Sequence, residues 1–172
     1  MRNKKHLFIF YPGARGDFLA SILIGDILKS NTTGAKITFV GHAQGMYHKM
    51  HNRDMMVYDN PNYFKAESFD QYDVIIRIKF ESENDCRAAL KLAMIKMTDR
   101  NFISYAPAYM RYESSFAPLD HQFTKVIPFM DLFDIEKLKP LFAEYWGRDM
   151  TAEEQQRITD NIESNLDYLR DK

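Results

Sequence analysis

"LFIFYPGARGDFLASIL", residues 7–23, decides how this chain is read. With His6 it opens on a continuous apolar run, HLFIFY, of the kind a strand shows when both its faces are covered. Pro12, Gly13 and Gly16 then interrupt the run. Beyond them Phe18, Leu19, Ile22, Leu23, Ile27 and Leu28 recur at helical spacing, which predicts a helix with one broad apolar face. The stretch is therefore a strand, a turn and a helix. A helix N-terminus at the end of a buried strand presents unpaired N–H groups and the positive end of the helix dipole, a natural anion site. Pro12, Gly13, Ala14, Arg15, Gly16, Asp17 and Phe18 are the candidate lining. The glycines let the backbone approach a ligand, Arg15 adds a positive charge, and Asp17 suits an N-cap or first-turn position. No Gly-x-x-x-x-Gly-Lys-Ser/Thr string is present, so triphosphate and magnesium chemistry lacks its usual lysine and hydroxyl.

Working outward, AKITFVG (35–41) is expected as a second strand, YDVIIRIKF (72–80) as a third and FTKVIPF (123–129) as a fourth, with Pro128 better suited to its end. Residues 42–70 resist reading, apart from an Asp-Asn-Pro-Asn turn at 59–62. Ser82 and Asp85 have N-cap and N3 spacing ahead of a stripe of Cys86, Leu90, Met94 and Met97. Ile135, Leu138, Leu141, Phe142 and Tyr145 form the apolar side of a further helix that Gly147 stops. Thr151 and Glu154 make a capping box for a last helix striped by Ile158, Ile162, Leu166 and Leu169. Strands alternating with helices predict a three-layer α/β/α fold with a mainly parallel sheet. The whole of 1–172 reads as a single domain without repeat or linker.

The formal net charge of -1 argues against a general nucleic-acid binder. Cys86, the one cysteine, excludes an internal disulfide and a cysteine-cluster metal site and suits a reducing cytoplasm. The basic start is followed by too short an apolar run for a signal peptide, and no run is long enough to span a bilayer. A cytoplasmic protein without membrane association is the expectation.

FIFYPGARGDFLASIL resembles the N-terminal strand–loop–helix of the sulfotransferase superfamily, whose P-loop-like turn, often Tyr-Pro-Lys-Ser-Gly-Thr-Thr-Trp-Leu, surrounds the 5′-phosphosulfate of PAPS. Tyr11, Pro12, Phe18 and Leu19 fit that outline, with Gly13 at the lysine position and Gly16 and Asp17 at the threonines. VIPFMDLFDIEKLKPLFAEYWGRDMTAEEQQRI (126–158) resembles the family's later strand and Tyr-Glu-Asp-Leu segment. Phe129, Asp131 and Leu132 agree in character and Met130 replaces the glutamate. The chain is similar to the small sulfotransferase-like proteins of bacterial and phage type. The resemblance implies a P-loop NTPase-like architecture, reduced in size, and PAPS or PAP as cofactor. It also implies Arg77 at the cofactor's 3′-phosphate, where a structural ion pair is the equal alternative from the residue alone; near the family's serine position there stands Asp85, with Ser82 earlier.

Sulfuryl transfer needs a base for the acceptor hydroxyl and cations on the transferring group. Arg15 is the candidate for the loop lysine's charge, and His42, after the expected second strand, the candidate base. His48 and His51 follow at i, i+3 without a partner to complete a metal site, so no metal is expected. The aromatic stretch 102–116 reads as core or as a ring-binding surface, and the C-terminal helix as core or as a docking face for a protein partner. Two functions remain: a PAPS-dependent sulfotransferase acting on a hydroxyl acceptor, and a catalytically degenerate member acting as a binding module.

Overall fold

A computed structural model of the chain describes residues 4, 6–10, 13–25, 27–28, 72–93, 110, 113–114 and 116–170, with the strand backbones of 32–33, 36–37 and 55–58. In chain order the first elements are β1 (His6–Ile9), α1 (Gly16–Leu23), β2 (Thr32–Thr33), β3 (Lys36–Ile37), β4 (Met55–Tyr58) and β5 (Val74–Lys79). Then come α2 (Glu83–Ala93), a 3₁₀ turn at Ala117–Gln122, β6 (Lys125–Pro128), a second 3₁₀ turn at Phe129–Phe133, α3 (Ile135–Trp146) and α4 (Ala152–Arg170).

The fold is α/β around a small open sheet in the order β4-β1-β5-β6, with every pairing parallel. β1 is buried at each of its residues and β5 at all but Lys79. Burial at consecutive positions means both faces are covered, the reason these strands are unbroken apolar runs rather than alternating ones. On one face His6 stacks with Phe8 and tilts against Tyr145 of α3. Ile9 and its register partner Arg77 lie on the other. α3 is tied to α1 where the Trp146 indole N–H donates to the Ile22 carbonyl at 2.9 Å.

The expected second strand needs correcting. In AKITFVG, Lys36–Ile37 pairs antiparallel with Thr32–Thr33 in a separate two-stranded ribbon, and residues 38–41 lie outside the described ones. The remaining core strand is Met55–Tyr58, inside the stretch that resisted reading. Four apolar residues are too few for periodicity to separate a buried strand from a helix fragment. α1 also ends sooner than its stripe suggested: the N–H groups of Ile24 and Gly25 both reach the Ala20 carbonyl and close the last turn, leaving Ile27 and Leu28 beyond it.

The expected caps are formed. The Ser82 hydroxyl accepts the Asp85 N–H at 3.3 Å, while the Asp85 carboxylate reaches back to the Glu81 N–H at 2.8 Å. Gly147, at φ +67°, supplies the left-handed residue that ends α3, and the structure adds an N-cap the sequence reading did not name, the Asp134 carboxylate accepting the Glu136 N–H. Before α4, Thr151 Oγ1 accepts the Glu154 N–H at 3.1 Å and the Glu154 carboxylate accepts the Thr151 N–H at 2.8 Å, a complete capping box. Arg148 adds two bonds of 2.8 Å to the same carboxylate. Thr151→Ala is expected to lower the unfolding free energy by about 1 kcal/mol in urea titration; no measurable change would mean that α4 does not need this cap.

Glu154 also sets a pH dependence. Its hydrogen bonds from Arg148, and then those from Thr151, outweigh desolvation and hold its pKa below the ordinary glutamate value. The stability it contributes is present above that ordinary value and lost as pH falls through the folded one. Glu154→Gln should therefore flatten the acid limb of a stability–pH profile, and an unchanged limb would count against the pairing.

Candidate anion-binding site

From the end of β1 the chain goes first to β4 on one side and later to β5 on the other, so the turn after Ile9 stands at a switch point of the sheet, where α/β folds gather ligands. Two residues of this turn are left-handed, Gly13 at φ 81° and Arg15 at φ 62°. A left-handed arginine carries a backbone cost of order 1 kcal/mol. Arg15 is also the N-cap of α1, and its side chain makes no capping bond. The N-cap side chain therefore leaves the positive dipole end of the helix start without a capping bond. Ala14, Arg15, Gly16, Asp17 and Phe18 are all buried, the last three on α1.

The Arg15 side chain, 2% exposed, turns inward. Its guanidinium carbon sits 3.9 Å from the centre of the Phe18 ring and 4.6 Å from that of Phe133. Nη2 donates to Asn161 Oδ1 on α4, across most of the chain, and Nε and Nη1 have no hydrogen-bond partner among the described residues. Asn161 is held in turn by Asn165, whose amide donates to the Asn161 backbone carbonyl at 2.6 Å and to Oδ1 at 3.2 Å. Burial pushes the Arg15 pKa down to about 9, so the group still carries its charge at neutral pH. A buried cation stabilised by ring faces and one amide oxygen, with donors left over, suits an anion chemically.

Gly16 has a different reason to be glycine. A Cβ there would overlap the Phe10 ring, so its smallness admits that ring against the start of α1. Asp17 is the acid in the first turn of α1, compatible with the dipole, and its backbone carbonyl accepts the Ser21 hydroxyl at 2.9 Å.

The resemblance implied that Arg77 and Ser82 serve a 3′-phosphate; both are engaged within the protein. Arg77 lies inside β5 rather than at its end and is completely buried. Nη1 and Nη2 each donate to Glu113 Oε2 at 2.7 Å and Nε donates to Asp120 Oδ1 at 3.1 Å, with the Phe116 ring 5.2 Å away. The other Glu113 oxygen accepts the Phe80 N–H at 3.0 Å. Burial pushes the Glu113 pKa up, opposed by that N–H and by Arg77. The Ser82 hydroxyl, besides its capping role, donates to Asp85 Oδ1 at 3.2 Å.

Pro12, His42, His48 and His51 lie outside the described residues, as does most of 102–116. Of that stretch's described residues, Glu113 and Phe116 close over Arg77. The C-terminal helix turns Ile158, Asn161, Ile162 and Asn165 into the fold. Cys86 is buried on α2; burial first, then the charges of Glu113, Asp85 and Glu83, raises its thiol to about 12, far from reactive. Among the described residues no His, Cys, Asp or Glu cluster suits a metal, and no helix is long and apolar enough to cross a membrane.

Sequence reasoning missed Phe133, Asn161, Asn165, Glu113 and Asp120. Asn161 and Asn165 left a signal, two amides flanking Ile158 and Ile162 on the buried side of the last helix. Glu113 and Asp120 left none, because nothing in their neighbourhoods marks a carboxylate bound to a distant strand. Comparisons with protein-family models, with curated proteins and with solved structures found no match for this chain.

Proposed function

We propose that this is a sulfotransferase-like protein that binds a sulfate- or phosphate-bearing group, such as the phosphosulfate end of PAPS or the 5′-phosphate of PAP, at the 12–18 turn. One observation carries the reading: Arg15, buried at the start of α1 and making no capping bond, retains Nε and Nη1 without partners among the described residues. Three supports converge there on an incoming anion. They are the guanidinium, the α1 dipole and the position at the sheet's switch point. The residues fit the anionic end of such a ligand. They do not fit its 3′-phosphate end, where Arg77 and Ser82 already have partners. Within a sulfotransferase-like site Arg15 holds charge on the bound group, and His42 is the proposed base for a hydroxyl acceptor.

The engaged state of Arg77 favours the second reading, a catalytically degenerate member that keeps anion binding as an interaction module. One variant tests the binding that both share. Arg15→Met fills similar space while removing the charge and its unpartnered donors, so the folded protein should be at least as stable as the wild type. Calorimetric titration with PAP and with inorganic sulfate should show binding to the wild type and a loss of at least about tenfold in Arg15→Met. Equal affinity in the two proteins, or heat from neither ligand with folded wild type, rejects the site. Sulfuryl transfer to a phenol from PAPS by the wild type separates the enzyme from the module.

A further inference from the structure

We infer that the ligand of the Arg15 site carries its recognised anionic group at one end only, and that a ribose 3′-phosphate adds nothing to its affinity. The inference rests on the proposed anion site and narrows its ligand class. Two buried arginines flank the switch point in opposite electrostatic states. Among the described residues Arg15 has no carboxylate partner and keeps two nitrogens unpartnered. Arg77 belongs to β5, and its register partner Ile9 lies at the end of β1 just before the turn. All its guanidinium nitrogens donate to Glu113 or Asp120, and its side chain is wholly enclosed.

A phosphate arriving at Arg77 would therefore meet an enclosed guanidinium whose three nitrogens already face carboxylates. With both carboxylates ionised the cluster has one more negative than positive charge; with Glu113 protonated it is neutral. Neither state attracts a phosphate. Displacing Glu113 would also release the Phe80 N–H and the segment that holds it against β5. The Ser82 hydroxyl is bound within its own helix cap. An adenosine 5′-phosphate or a simple sulfated compound meets none of these obstacles, because its single anionic group goes to Arg15.

The experiment is calorimetric titration of the wild-type chain with adenosine 5′-phosphate, with adenosine 3′,5′-bisphosphate and with inorganic sulfate at one low ionic strength. Dissociation constants for the two nucleotides within about threefold of one another, both displaced by sulfate and both weakened in Arg15→Met, support the inference. A bisphosphate bound about tenfold or more tightly than the monophosphate overturns it while leaving the anion site in place. Absence of binding by all three overturns the inference together with the site.

Discussion

Replacing Arg77 by methionine should cost about 3–5 kcal/mol of unfolding free energy, because it leaves a buried carboxylate without its cation. Arg77 is the cross-link between β5 and the segment 113–120, holding Glu113 through two donors and Asp120 through a third. Truncating it removes those bonds and leaves Glu113, 6% exposed, with the Phe80 N–H as its remaining donor among the described residues. The sign of the pH dependence follows. Burial already raises the Glu113 pKa, and loss of Arg77 removes an opposing influence and raises it further. A carboxyl whose folded pKa is raised favours the fold while protonated, below its ordinary value, and that advantage disappears as pH rises through the folded value. The deficit of Arg77→Met should therefore be smallest in mild acid and grow toward neutrality, following the titration of a carboxyl raised by burial. The double variant Arg77→Met, Glu113→Gln keeps an acceptor for Phe80 and removes the orphaned charge, so it should recover much of the loss. Chemical denaturation of the four proteins at two pH values completes the cycle. A single-variant cost below about 1 kcal/mol, or one independent of pH, would show that the pair is not what holds 113–120 to the sheet.

This network also marks where sequence reasoning stops. Strand β1, the turn and α1 were legible because each follows a local rule: an unbroken apolar run for a strand covered twice, glycines at the break, then helical spacing. The caps at Ser82, Thr151 and Gly147 were legible for the same reason, since each partner lies within a few residues. β4 was not, because four apolar residues carry no period. The partners of the two buried arginines were not either. Arg77 finds Glu113 and Asp120 some forty residues on, and Arg15 finds Asn161 across nearly the whole chain. Such pairings depend on which elements the fold brings together, and no local pattern encodes that. The turn was thus read as a candidate anion site from its backbone chemistry, whereas the contrast between Arg15 in the turn and Arg77 on β5, one without a carboxylate partner among the described residues and one engaged, is a tertiary property.

Gly16→Ala should be among the most damaging single changes in the molecule, costing about 3 kcal/mol by overpacking. The reading of the turn makes Gly16 a ligand-facing residue whose smallness lets the backbone approach an anion. The structure gives that smallness another use, since the position of a Cβ is already occupied by the Phe10 ring. Phe10 is 2% exposed and follows directly on β1, so its ring has little space into which to withdraw. A methyl group must then displace either the ring or the first turn of α1. Moving α1 disturbs Arg15, its N-cap, and with it the bond to Asn161 that ties the turn to α4. The two causes make different predictions for a second substitution. If the Phe10 ring is the obstacle, Phe10→Leu should be mildly destabilising by itself but should rescue Gly16→Ala, giving a double variant more stable than the sum of the singles by at least about 1 kcal/mol. If Gly16 is small for the ligand alone, Gly16→Ala should fold with near wild-type stability, lose anion affinity, and show additive behaviour with Phe10→Leu. Urea unfolding of the four proteins, with sulfate titration of those that fold, separates the two. The crowding of Phe10 against Gly16 predicts rescue.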